Sequence, residues 1–185
     1  MSRPASALRL EVAHSVLYVH DVERMIAFYR DTLGFEVTDR GALGPNEIVF
    51  LSQSADHHHQ IAFVTGRAEP TRSNSTHHTA YRSAGTLDDL KALLDRLRAD
   101  GAVTAIRPIT HGNAWSVYFE DPEHNGVEVF IDSPWHVRQP QARPLDLSRP
   151  NEDIVADTRA EFAGEPEFGD LADFYRRRAE HLAER

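Results

Sequence analysis

The feature that most constrains this chain is an internal repeat: the order strand, helix, strand, strand, strand is read twice, over about 65 residues each time. Residues 10–19 alternate as a strand that puts His14, Val16 and Tyr18 on one face. Asp21 is placed to cap a helix. Val22, Met25, Ile26, Tyr29 and Leu33 form its apolar stripe, and Gly34 closes it. Residues 35–39, 47–52 and 59–65 read as three short strands between turn residues. A polar linker over 66–75 follows, and then the order returns. Residues 78–83 make a strand. Thr86 caps a second helix, with Asp89 three residues on in a capping-box arrangement. Leu87, Leu90, Leu94 and Leu97 form the stripe, ended by Gly101. Strands at 103–106, 116–120 and 127–131 complete the copy, the last two joined by the turn sequence DPEHNG at 121–126.

Each copy has one sheet face to bury and another free to line a cavity. The expected fold class is therefore α+β. Two paired β-α-β-β-β modules, about 10–65 and 76–133, form one open barrel-like metal-binding cavity in a domain spanning 1–135. Four prolines between Pro134 and Pro150 mark a change of character, and 136–185 is expected as an irregular and helical extension. Asn151 is placed to cap a helix to about Phe162, and 169–182 reads as a second. Helices of this kind suit a contact in a homo-oligomer.

Composition narrows the chemistry. The 185 residues include no cysteine, which excludes disulfides and thiolate metal sites. A metal must then be held by His, Asp or Glu, a donor set suited to Fe(II), Mn(II) or Zn(II). A formal charge of −9 argues against a nucleic acid partner. No apolar run approaches a membrane span, and the opening residues lack the apolar core of a signal peptide. The expectation is a cytoplasmic protein without a membrane partner. Eleven histidines are many for this length, so only position can single one out.

The repeat serves as a ruler. Aligning the opening strands sets His14 opposite His78, which leaves His77 on the other face by alternation. Aligning the closing strands sets Glu128 opposite Ile61. Glu128 stands among Val127, Val129 and Ile131, and a carboxylate in such a strand must face a cavity, water or a cation. His59, two residues before Ile61, is expected on the same strand face and so in the same cavity. His14, His78 and Glu128 are the candidate metal ligands. Two imidazoles and one carboxylate on one face of an ion leave its other positions open, the arrangement of non-haem Fe(II) oxygenases. Each residue has an ordinary alternative: a hydrogen-bonded core histidine for His14, a surface histidine for His78 with His77 equally good as a ligand, a half-wet strand position for Glu128.

The stretch HSVLYVHDVERMIAFYRDTLGFEV at 14–37 resembles the opening of a vicinal oxygen chelate module, the superfamily of glyoxalases, antibiotic-resistance proteins and type I extradiol dioxygenases. Details favour the one-domain dioxygenase branch. DHHHQIAF at 56–63 followed by Thr76, His77 and His78 is similar to that branch's pairing of a non-ligand histidine with a metal histidine. His111-Gly112-Asn113-Ala114, Tyr118, Asp121-Pro122 and Asn125-Gly126-Val127-Glu128 resemble its closing motif. The resemblance implies Fe(II), or Mn(II), at His14, His78 and Glu128. It implies that His59 is an acid/base histidine near the oxygen site, and that His111 and Tyr118 hydrogen-bond the substrate oxygens and move protons. The implied reaction inserts both atoms of O2 into a catechol-type diol and opens the ring beside the hydroxyls. The alternatives are a glyoxalase-like isomerase or lyase, which wants a fourth protein ligand where Ile61 is aligned, and a metal-free drug-binding protein. Trp115, Phe50, Phe130 and Trp135 are candidates for the pocket wall.

Overall fold

The computed structural model describes residues 11–68 and 75–183; Leu10 and most of the 66–75 linker lie outside the described residues. The chain divides into two compact units, Met1–Pro70 and Thr71–Arg185. It is α+β, with two main sheets and four helices among the described residues. None of those helices is long and apolar enough to cross a membrane.

Unit one runs β1 (Ser15–Val19), α1 (Val22–Asp31), β2 (Glu36–Leu43), β3 (Asn46–Ser52) and β4 (Ile61–Thr65), in the sheet order β1-β4-β3-β2. The Asp21 carboxylate accepts the Arg24 backbone N–H at 3.0 Å, the expected cap, and Gly34 takes a left-handed φ of 81° just past the helix. Val22, Met25, Ile26 and Tyr29 are buried as the stripe requires, joined by Phe28. The Tyr29 ring meets Phe63 edge-on at 4.9 Å, so Phe63 marks the helix-covered face of the sheet. Register then sorts the strands. Phe63 pairs with Val49 and Leu17, and Ile61 with Leu51 and Ser15. The opposite face carries Val16 and Tyr18 of β1, Ala62 and Val64 of β4, and Ile48 and Phe50 of β3.

Unit two runs β5 (Thr79–Arg82), α2 (Leu87–Ala99), β6 (Thr104–Thr110), β7 (Ala114–Glu120) and β8 (Gly126–Asp132). The capping box forms: Thr86 Oγ1 accepts the Asp89 N–H, and the Asp89 carboxylate accepts the Thr86 N–H at 2.8 Å. Leu87, Leu90, Leu94 and Leu97 are buried with Leu93. Val117, Phe119 and Val127 are also closed to solvent, and register puts them on one sheet face. At the β7–β8 turn the buried Asp121 carboxylate accepts backbone N–H groups of Glu123 and Asn125 at 2.9 and 3.0 Å, which sets where β8 begins.

The extension belongs to unit two. It comprises β9 (Trp135–His136), β10 (Arg143–Pro144), α3 (Asn151–Phe162), β11 (Gly169–Asp170) and α4 (Leu171–Ala183). β10 extends the sheet by pairing with β6. Trp115 Nε1 donates to Thr158 Oγ1 of α3 at 2.9 Å, and Arg143 lies 4.1 Å over the Phe162 ring. Asn151 is not the cap of α3. It is the first helical residue, Pro150 holds the cap position, and the Asn151 amide instead donates to Asp88 of α2 at 2.8 Å.

The register corrects the ruler by one residue. β1 pairs with β4 as β5 pairs with β8, both parallel. With His14 set opposite His78, Val16 corresponds to Ala80. Val16 pairs with Ala62, and Ala80 pairs with Glu128. The counterpart of Glu128 is therefore Ala62, and Ile61 belongs to the helix-covered face. The count slipped because β4 begins at Ile61 and not at His59, so strict alternation does not reach back to His59.

Candidate metal centre

In unit two the strands bring together the residues that lie far apart in sequence. Tyr118 is paired with Glu128, and Ser116 with Phe130. All four share the sheet face turned away from the one that carries Val117 and Phe119. Glu128 is a buried carboxylate, 7% exposed. Its Oε2 stands 3.1 Å from His78 Nε2. Its Oε1 accepts the Ser116 hydroxyl at 2.6 Å and lies 3.7 Å from His111 Nε2. A buried carboxylate with one oxygen left to an imidazole is costly in an apolar setting and favourable beside a cation.

The donor set and its spacing fit a divalent ion. Two nitrogen or oxygen donors bound at about 2.1 Å and at right angles stand roughly 3 Å apart, and the His78–Glu128 separation is 3.1 Å. Among the described residues no group of three His, Asp or Glu side chains is placed to hold a metal ion. His78 and Glu128 are thus the part of the expected ligand set that unit two assembles by itself.

His77 is more than the bystander that alternation suggests. Its Nδ1 lies 2.6 Å from His78 Nδ1, so one ring donates to the other. An His78 that binds a metal through Nε2 must carry its proton on Nδ1, and His77 is then the acceptor that holds that tautomer.

His111 is held in one tautomer by the extension. Its Nδ1 contacts the backbone carbonyl of Gln141, which can only accept, so the proton sits on Nδ1. The neutral ring then has a bare Nε2, which accepts the Tyr118 hydroxyl at 2.9 Å. Gln139 adds a second tie, donating to the His111 backbone carbonyl at 2.8 Å. Gly112 makes the close approach possible. Its φ is 78°, and a Cβ there would meet Val137 Cγ1 at 2.5 Å and Phe162 Cδ1 at 3.0 Å. Burial, and then the Glu128 carboxylate beside it, push the Tyr118 phenol well above its ordinary range, so it keeps its proton.

In unit one, His14 stands immediately before β1, and its ring lies 4.2 Å from that of His59. The His59 ring is also 4.8 Å from Phe50, and Phe50 is on the face of Val16, Tyr18 and Ala62. His59 therefore stands beside His14 from the loop before β4, and not from the strand itself. Burial, followed by the His14 and His58 rings, holds His59 below the ordinary histidine range. Of the four aromatic candidates, Phe50 and Phe130 stand on the site-bearing faces of their units. Trp115 is turned to α3, and Trp135 stacks on Phe168.

Sequence alone singles out neither Ser116, Gln139 nor Gln141, and it shows Gly112 only within the motif at 111–114. Ser116 has the parity of Tyr118 on β7, and alternation alone could have put it on the Glu128 face. Gln141 acts through a backbone carbonyl, for which no residue type is a signal.

The two units share the order β-α-β-β-β, and unit two carries a histidine–carboxylate pair and a histidine–tyrosine pair on one sheet face. The chain belongs to the Glyoxalase/Bleomycin resistance protein/Dioxygenase superfamily, whose model matches residues 11–129, more than half of its length. It is 34% identical over 127 residues to biphenyl-2,3-diol 1,2-dioxygenase 2 of Rhodococcus globerulus, covering 65% of this chain and 62% of the relative. It is 32% identical over 126 residues to biphenyl-2,3-diol 1,2-dioxygenase 3 of the same organism, covering 66% and 63%. The chain thus spans less than two thirds of these curated relatives. In structure it is similar to the glyoxylase/bleomycin resistance protein/dioxygenase domain from Frankia sp. EAN1pec, with a TM-score of 0.58 at 18% identity over 68% of this chain and 93% of that one.

Proposed function

We propose that the chain is an extradiol dioxygenase acting on a catechol-type diol, with Fe(II) as its metal and His14, His78 and Glu128 as ligands. The observation that carries this reading is the His78–Glu128 pair at 3.1 Å with the His111–Tyr118 pair beside it on the same sheet face. The names of the relatives at about one-third identity support it. Ala62 at the position equivalent to Glu128 supports it over a glyoxalase-like site, because no fourth protein ligand stands there.

A ferrous ion held at these residues would supply Lewis acidity toward the diol oxygens and the redox chemistry for O2. The protein supplies the proton handling. His111 presents a bare Nε2 and Tyr118 a phenol that keeps its proton. A diol hydroxyl placed against Tyr118 can pass a proton through the phenol to His111, which returns it as the product forms. His59, held below the ordinary histidine range by burial and by the His14 and His58 rings, is a second acceptor.

The test is anaerobic loading with Fe(II), then admission of air with a panel of catechols, following oxygen uptake and the visible ring-opened product. Turnover is expected from the parent chain and none from His78→Ala. Absence of iron binding, or equal turnover in the variant, overturns the reading. His59→Phe has a different signature: iron binding is retained while turnover falls by ~10²–10⁴-fold. Loss of iron in that variant would instead make His59 a ligand.

A further inference from the structure

Glu128 has two oxygens, and the fold treats them differently. Oε2 faces His78 Nε2 at 3.1 Å. Oε1 takes the hydroxyl of Ser116 at 2.6 Å, within the range of a hydrogen bond to an ionised carboxylate. Ser116 is fully buried, at 0% exposure. It sits on β7 two residues from Tyr118, and so on the strand paired with the one bearing Glu128. Neither the strand it occupies nor its carboxylate partner leaves the hydroxyl much freedom to turn elsewhere.

We propose that Ser116 is a positioning residue that makes Glu128 a one-oxygen ligand: its hydroxyl engages Oε1 and leaves Oε2 alone to meet the ion beside His78. This rests on the reading of His78 and Glu128 as metal ligands. A carboxylate can grip an ion with one oxygen or with both. Recruiting Oε1 here requires breaking a short charge-assisted hydrogen bond in a place closed to water, which could otherwise replace it. Single-oxygen ligation leaves one more coordination position for the small molecules the site must admit. Partners of this kind, one bond removed from the metal, typically change affinity by ~10–100-fold when deleted.

The experiment uses the full chain and Co(II) as probe, with no turnover involved. Apparent Kd is measured by competition with a chelator, and coordination by visible d–d absorption. Difference infrared spectroscopy of the carboxylate stretches then separates one-oxygen from two-oxygen binding. The parent is expected to show the wide stretch splitting of one-oxygen ligation. Ser116→Ala should bind ~10–100-fold more weakly, with a narrowed splitting and altered visible bands, while its circular dichroism stays near that of the parent. Ser116→Thr, which keeps the hydroxyl, should restore the parent spectrum. A parent that binds Co(II) and an Ala variant with the same Kd and splitting overturn the role of Ser116 and leave the ligand reading standing. A parent that binds no Co(II) overturns the ligand reading and this inference with it.

Discussion

On the proposed function, Glu128→Ala is expected to abolish ring cleavage and to weaken Fe(II) binding by more than the ~10–100-fold that loss of a ligand's hydrogen-bond partner costs. The reason is the position of the carboxylate. It is buried, its Oε2 is the donor nearest His78, and the equivalent residue in unit one is Ala62, so the repeat holds no spare. The folded state should survive. Removing the side chain leaves the Ser116 hydroxyl without its acceptor, a loss of ~1–3 kcal/mol, but it also relieves a charge held out of water. The check is a metal titration beside a thermal melt. Retained folding with lost binding is the expected pair of results. Retained binding at the parent affinity would remove Glu128 from the ligand set, and Glu128→Gln, which keeps an acceptor for Ser116, separates charge from hydrogen bonding.

Gly112→Ala is expected to lower stability by roughly 2–5 kcal/mol, from ~1–2 kcal/mol for an L-residue at a left-handed φ and ~1–3 kcal/mol for overpacking. The new methyl would meet Val137 at 2.5 Å and Phe162 at 3.0 Å. For a chain of this size that corresponds to a fall in Tm on the order of 10 °C, measured by circular dichroism or calorimetry. Activity should suffer in the protein that remains folded. The loop that follows β9, from Val137 on, also carries Gln139 and Gln141, the two residues that hold His111. A Tm within a degree or two of the parent would mean that the extension yields easily and does not brace the loop.

The two predictions differ in how much of their basis was readable from sequence. Glu128 was: a lone carboxylate among Val127, Val129 and Ile131 announces itself by the cost of burying it. The helices were equally legible, because their apolar stripes, the Asp21 cap and the Thr86–Asp89 box are local patterns that the fold keeps. Register was harder. Alternation carried back along β4 takes in His59, whereas the strand starts at Ile61, and one residue moves the equivalence from Ile61 to Ala62. β2 runs on to Leu43, beyond the 35–39 that the sequence marks, because all eight of its residues are exposed and carry no alternation to follow. The restraint on His111 was illegible for a deeper reason. It comes from a carbonyl thirty residues away, and every residue has one. Asn151 is a further case, since a side chain's partner across space outweighs its place on a local pattern.

The brace on His111 bears on where such a protein can be cut. The family model ends at residue 129, yet the carbonyl that holds this imidazole belongs to residue 141, and the aromatic ring pressed on its loop to residue 162. A fragment trimmed to the matched region would retain every candidate donor and acid of unit two and forfeit the restraint that orients one of them. The smallest portion able to work as the whole does should therefore reach through α3. Two relatives with identical motifs but unlike sequences after the last matched strand should be expected to differ in how firmly that base is seated.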